Sequence, residues 1–192
     1  MSDHHEPKAA DPNVRLGVLL SAETLAKRIS ELGAQITRDY AGKQNLCLVG
    51  ILKGSFVFLS DLMRRLSCDL EVDFISTSSY GQATVSSGTV RLLKDLDRDV
   101  AGRHILVAED IVDSGLTLAY IWKSLAARDP ASLSVVALLD KKERRSGWIV
   151  LDYVGFKVPD VFLVGYGLDC AERYRGLPYV AAMGSRDGDG PA

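Results

Sequence analysis

Two unbroken apolar runs, NLCLVGIL at 45–52 and HILVA at 104–108, constrain this chain more than any other feature. A strand with one face in water alternates apolar and polar residues, so a continuous run of this length belongs to a strand covered on both faces. Around these runs the period changes. From Ser21 to Tyr40, Leu25, Ile29, Leu32 and Ile36 recur at three- and four-residue spacing behind a Ser cap, which predicts an amphipathic helix. SFVFLSDLMRRL at 55–66 and LTLAYIWKSLAARD at 116–129 also carry helical period. SLSVVALLDK, IVLDYVGF and VFLVGYGLD read as three further strands, and EVDFISTS at 71–78 alternates like one, with GTVRLLKDL at 88–96 as its partner. Between those two, the polar stretch SSYGQATVSS forms a long loop of the kind that often serves as a lid. Strands alternating with helices predict an α/β fold: a mostly parallel open sheet flanked by helices.

Length and composition bound the remainder. At 192 residues, 47% hydrophobic and 25% charged, the chain suits one domain with a substantial core. That domain is expected over 14–183, between polar tails at 1–13 and 184–192. A formal charge of −2 and a pI near 5.9 exclude a bulk electrostatic pull toward nucleic acid or an anionic membrane. Cys47, Cys68 and Cys170 are odd in number and widely spaced, which points to free thiols in a reducing compartment. No run reaches the roughly 18 apolar residues of a membrane span, and no signal-peptide segment opens the chain, so a cytoplasmic location is expected. His4 and His5 fall in the polar tail, and His104 stands alone before a strand; none is assigned a role.

The chemistry concentrates in ILVAEDIVDSGLTL at 105–118. In an open parallel sheet ligands bind at the carboxyl ends of the strands, where Glu109 and Asp110 are expected as the strand exits. Side chains alternate across a strand, so these neighbours do not face one substrate proton as a pair. Asp113, Ser114, Gly115 and Thr117 then turn into a helix start, where free amides, hydroxyls and the helix dipole favour an anion. Three carboxylates would repel a bare phosphate. A ligand with hydroxyls for the acids and a phosphate for the turn, a phosphorylated sugar such as a ribose phosphate, removes the conflict, with a divalent cation nearby. A helix cap accounts for the turn without any ligand, but two acids at the buried end of a core strand are costly without a partner. Neither a G-x-x-x-x-G-K-[ST] loop nor a G-x-G-x-x-G opening a helix is present.

VAEDIVDSGLTL at 107–118 resembles the phosphoribosyl pyrophosphate signature of the type I phosphoribosyltransferases. GILKGSFVF at 50–58, SSYG at 78–81, LLDKKERR at 138–145 and VPDVFLVGYGLDCAERYRGLPY at 158–179 extend the likeness in the family's order and spacing, and point to its hypoxanthine-guanine branch. The resemblance implies that fold, with a small hood and a mobile lid. It also implies transfer of a phosphoribosyl group from phosphoribosyl pyrophosphate to a 6-oxopurine ring nitrogen, with Mg2+ as cofactor and a homodimer or homotetramer as the assembly. Position by position, Asp113 matches the general base. Glu109 and Asp110 match the groups that hold the ribose hydroxyls, and Ser114, Gly115, Leu116 and Thr117 the sugar-phosphate turn. Lys53, Gly54 and Arg175 match pyrophosphate contacts, with a non-proline cis peptide expected before Lys53. Ser79 and Tyr80 match the lid that keeps water from an oxocarbenium-like state. Lys141 matches the donor to the exocyclic oxygen, Phe162 the aromatic that stacks on the base, and Leu163 the backbone that reads its edge. Asp169 matches a magnesium ligand, with Glu109 and Asp110 on the same ion.

Each position also has an ordinary structural explanation: a helix cap for Asp113 and Asp169, a turn for Lys53 and Gly54, a hairpin excursion for Ser79 and Tyr80, core packing for Phe162 and Leu163, a surface charge for Arg175. KERR at 142–145 reads as a solvated turn. Val161 stands where some members carry Lys and Cys170 where Tyr is common, which leaves the choice among hypoxanthine, guanine and xanthine open; Leu116 replaces a Lys of some relatives, which leaves the sugar phosphate more reliant on amides and hydroxyls. Two rivals remain: an enzyme of this fold acting on another base, and a regulator that senses phosphoribosyl pyrophosphate while binding nucleic acid. The second should show a basic face or an added DNA-binding helix pair, and the sequence has neither.

Overall fold

The computed structural model describes residues 14–79, 90–145 and 148–185. The central sheet has six strands. In chain order β1 (Val14–Leu20) and α1 (Ala22–Asp39) are followed by β2 (Leu46–Leu52), α2 (Phe56–Met63), β3 (Leu70–Ser79) and β4 (Val90–Lys94). Then come β5 (His104–Val112), α3 (Leu116–Ala126), β6 (Ser132–Asp140), β7 (Tyr153–Lys157), β8 (Leu163–Val164) and β9 (Val180–Ser185). The large sheet runs β4-β3-β2-β5-β6-β7, with β1-β9-β8 as a separate three-stranded sheet. Only β4 pairs antiparallel in the large sheet, against β3; every other pairing there is parallel.

The expected two-sided burial of the apolar runs holds. Leu46, Leu48, Leu106 and Ala108 pack with Leu25, Ile29, Leu32 and Ile36 of α1 and Phe58, Leu59 and Leu62 of α2 on one face. On the other, Cys47, Val49, Ile105 and Val107 pack with Leu118, Ile121 and Leu125 of α3. Fully burying a side chain of this size stabilises the fold by roughly 1.5–3 kcal/mol. Ser21 caps α1 as expected, its Oγ accepting from the Thr24 amide at 3.2 Å. All three cysteines are free.

Three details differ from the sequence expectation. β5 continues to Val112, so Glu109 and Asp110 sit within the strand's last residues instead of at its exit. IVLDYVGF becomes a strand only from Tyr153. VFLVGYGLD keeps only Leu163–Val164 as strand, and it leaves the large sheet to pair with β9. Its remainder bends away because Gly165, Tyr166 and Gly167 all adopt positive φ. The resulting hood, with β1 and β9, lies outside the parallel sheet.

Candidate active site

The carboxyl ends of β2, β5 and β6 converge on a cavity of about 440 Å³ roofed by residues from β8 and the segment after it. Lys53 and Gly54 follow β2, Asp110 and Asp113 come from β5 and the turn beyond it, and Lys141 follows β6. Phe162, Leu163, Asp169 and Arg175 also line it, with Ile111, Arg144 and Leu168. A second, smaller hollow of about 100 Å³ is lined by Glu109, Asp113, Ser114, Gly115 and Thr117. Asp113 lines both, so the two hollows form one continuous surface at that carboxylate. Leu116 does not line either hollow and is exposed.

Strand alternation separates the two acids: Asp110 faces the large cavity and Glu109 the small hollow. Burial pushes the Glu109 carboxyl well above its usual range, helped by the neighbouring Asp110 charge. Among the described residues its Oε2, out of water, finds no hydrogen-bond partner. Burial also raises Asp110, to about 6, although backbone hydrogen bonds and the Arg175 charge pull it partly back. Carboxyls left under-satisfied at a strand end are poised to receive hydroxyl donors.

The turn that follows is built for an anion. Gly115 is the N-cap of α3 at φ 78°, a left-handed conformation that glycine tolerates without strain, and no side chain caps the helix. Asp113 is therefore not the helix cap; the Leu116 amide makes one long bond to Ser114 Oγ at 3.4 Å, and the amides that follow it open the helix beside the Thr117 hydroxyl.

Across the cavity, the peptide bond between Leu52 and Lys53 is cis. Lys53 Nζ donates to Glu172 Oε2 at 3.0 Å, and Arg175 Nη2 reaches Asp169 Oδ1 at 2.8 Å and Glu172 Oε2 at 3.4 Å. The hydrogen bond from Lys53 holds the Glu172 carboxyl below its usual range. Asp169 Oδ2 accepts the Glu172 amide at 2.8 Å, so the expected turn-capping role is real for this residue. Among the described residues no three His, Cys, Asp or Glu side chains converge as a metal cage.

Lys141 is buried, and its Nζ donates to Asp160 Oδ1 at 3.3 Å. Arg144 lies between Asp113 and Asp160. Phe162 is 55% exposed and lines the cavity, while Leu163 beside it is buried. Ser79 ends β3; Tyr80 lies outside the described residues. Of the expected positions whose side chains the structure describes, all but Leu116 line these two hollows. Arg144, Asp160 and Glu172 were not singled out by sequence, because their contacts join segments far apart in the chain.

Comparison with known proteins gives a consistent picture. Residues 17–171 match the phosphoribosyl transferase domain model. The hypoxanthine-guanine phosphoribosyltransferase of Bacillus subtilis (strain 168) is 50% identical over 166 residues, covering 86% of this chain and 92% of that protein. That of Dictyostelium discoideum is 48% identical over 169 residues, covering 86% of this chain and 94% of that protein. A crystal structure of a hypoxanthine phosphoribosyltransferase from Staphylococcus aureus superposes with a TM-score of 0.84 at 47% identity, covering 87% of this chain and 90% of that one.

Proposed function

The chain belongs to the phosphoribosyl transferase family, and we propose that the domain, over 14–183, runs the purine salvage reaction for which its relatives are named. The enzyme is a hypoxanthine(-guanine) phosphoribosyltransferase, making a nucleoside monophosphate and pyrophosphate from phosphoribosyl pyrophosphate and a 6-oxopurine. The observation that carries this reading is Asp113 standing where a cavity holding Lys141 and Phe162 meets a hollow at an uncapped helix start.

In the proposed arrangement the sugar phosphate binds the Ser114–Thr117 turn, and the ionised carboxylates of Glu109 and Asp110 accept from the ribose hydroxyls. Lys53, the Gly54 backbone and Arg175 take the pyrophosphate. Phe162 offers a ring face to the purine, Lys141 donates to its 6-oxo group, and the Leu163 backbone reads its edge. The C1–oxygen bond to pyrophosphate breaks, its electron pair leaving with pyrophosphate, as a purine ring nitrogen bonds to C1. Asp113 accepts the proton that the five-membered ring gives up, assistance typically worth ~10²- to 10⁴-fold. Ser79 and Tyr80, with the loop they begin, are proposed to close over the site and exclude water.

Magnesium fits this donor set as a guest of the substrate. Mg2+ is commonly held by one or two carboxylates together with phosphates, which suits a site lacking a preformed cage among its described residues. Asp169 and Asp110, which line the same cavity, would hold it with the substrate's oxygens; Glu109, expected as a third ligand, faces the other hollow. Bound there, the ion neutralises charge developing on the leaving group. No helix among the described residues is long and apolar enough to cross a membrane. We place the enzyme in the cytoplasm, as a homodimer or homotetramer without nucleic-acid or membrane partners; light scattering measures the assembly directly.

The test is a steady-state assay with phosphoribosyl pyrophosphate, Mg2+ and, separately, hypoxanthine, guanine, xanthine, adenine and uracil. Turnover with hypoxanthine or guanine is expected. Silence on all five with intact phosphoribosyl pyrophosphate binding would favour a sensor of the same fold instead.

A further inference from the structure

Asp113 Oδ1 is out of water and finds no hydrogen-bond partner among the described residues. The charge beside it is Arg144, whose Nε stands 3.4 Å from Oδ1 and whose Nη1 stands 3.4 Å from Oδ2. Oδ2 thus accepts one long hydrogen bond from Nη1 while Nε lies beside Oδ1 without bonding it, so the planar guanidinium stands along the carboxylate and biases its rotation. The same Arg144 Nε lies 3.5 Å from Asp160 Oδ2, and the other oxygen of Asp160 accepts from Lys141 at 3.3 Å. Two carboxylates and two cations thus alternate in a chain, Asp113–Arg144–Asp160–Lys141, of which Asp113, Arg144 and Lys141 line the cavity and Asp160 stands behind them.

We infer that Arg144 is a positioning residue for Asp113, and that Asp160 ties this positioning to Lys141. The inference rests on the phosphoribosyl-transfer reading and adds two residues to it. Arg144 sits too far along the chain from Asp113 to be set by local geometry; it arrives through the short 3-10 turn Lys142–Arg144, which Lys141 starts by donating its amide to the Val112 carbonyl at 3.0 Å. That backbone bond fixes the base of the turn against β5, so the reach of Arg144 toward Asp113 is built in by the fold. Without Arg144 the Asp113 carboxylate is free to rotate, and fewer bound complexes present an oxygen to the purine ring. The loss falls on turnover, because Arg144 acts on the orientation of the proton acceptor and Phe162 and Lys141 still bind the base. Asp160 works one step further back: it meets the same Arg144 Nε that faces Asp113 while its other oxygen accepts from Lys141, so the donor to the 6-oxo group and the acceptor of the ring proton share one support.

The experiment compares Arg144→Gln, Asp160→Asn, the double variant and Arg144→Lys with the unaltered enzyme, using hypoxanthine and saturating phosphoribosyl pyrophosphate. Arg144→Gln is expected to lower kcat about fivefold, the upper end of what a partly exposed ion pair is worth, with the KM for hypoxanthine and the Tm unchanged. Arg144→Lys keeps the charge without the planar group that spans Asp113 and Asp160, and should recover only part of the loss. Asp160→Asn should also lower kcat, and the double variant should be no slower than the worse single one, since both cut the same chain. A KM effect without a kcat effect, a full rescue by lysine, or losses that multiply in the double variant would each overturn the inference. If the unaltered enzyme forms no nucleotide, the reaction itself has been misassigned, a result recognisable before any variant is made.

Discussion

Gly54 lies so close to Asp110 that a methyl group on its Cα would overlap the Asp110 carboxylate. The Gly167 backbone, at φ 101°, packs on the carbonyl of Gly54 from the other side, so the loop after β2 is clamped between β5 and the hood. Gly54→Ala should therefore force Asp110 or the Lys53 peptide out of place. Overpacking of this kind costs roughly 1–3 kcal/mol. The expected outcome is a lower Tm together with a large loss of phosphoribosyl pyrophosphate affinity, read by thermal melting and calorimetry; unchanged affinity would mean that this loop does not shape the site.

Asp113→Asn should retain the fold and phosphoribosyl pyrophosphate binding while losing ~10²- to 10⁴-fold in turnover, the range typical of general acid-base assistance. Stability should hardly change, because Gly115 and not Asp113 caps α3. A near-normal kcat would remove Asp113 from proton transfer, and a large drop in Tm would return it to a structural role.

How much of this was legible beforehand follows from the range of the interactions involved. The central strands and three helices follow from local period, and Glu109 and Asp110 face different hollows because a strand alternates. The hood was not visible in the same way. β1 and β9 lie at opposite ends of the described chain and pair only through tertiary contact, and β8 keeps two residues of an apolar stretch that reads as a full strand. Positive φ at Gly165, Tyr166 and Gly167 overrides that stretch's strand character. Arg144 followed the same logic: within KERR it looks solvated, and it is indeed about half exposed, yet its partners are Asp113 and Asp160.

The buried acids give the unliganded, metal-free protein a defined pH response. Asp110 titrates from 3.8 in the unfolded chain to about 6 in the fold, and Glu109 also moves up, so the folded state holds more protons across that window. Stability from these groups is fully present below the unfolded value and is lost as pH rises through the folded one. The Tm should fall between pH 4 and 6 relative to that of Asp110→Asn, which lacks this titration. Phosphoribosyl pyrophosphate binding should run oppositely, weakening as pH drops below about 6, because ribose hydroxyls need ionised carboxylates as acceptors. Calorimetry across that range decides it; an affinity independent of pH would detach Asp110 from the ribose.

Phe162 is exposed at the cavity, so its ring contributes little to the core. Phe162→Ala should leave the Tm near its original value and raise the KM for hypoxanthine ~10-fold, the scale of one base stacked on one aromatic ring. Phe162→Leu should fall between. Equal KM values for all three would mean that the base does not lie on this ring.

Glu172 provides the sharpest prediction about the pyrophosphate side. Its carboxylate lies 3.0 Å from Lys53 Nζ and 3.4 Å from Arg175 Nη2, between the two cations proposed to receive pyrophosphate. Glu172 itself sits at φ 63° in a segment where Ala171 and Tyr174 are also left-handed, so the backbone fixes where this carboxylate is offered. An incoming pyrophosphate must take both cations from it, and every contact made to them is partly offset by the one broken. Glu172→Gln keeps the shape and removes the competing charge; the KM for phosphoribosyl pyrophosphate and the Kd for pyrophosphate should both drop a few-fold. The gain should shrink as salt is added, because exposed charges are screened. Slower pyrophosphate release should then lower kcat if release limits turnover, a trade read by comparing steady-state with single-turnover rates. An unchanged Kd at low salt would mean that pyrophosphate binds without displacing Glu172, and that Lys53 and Arg175 do not meet it as a pair.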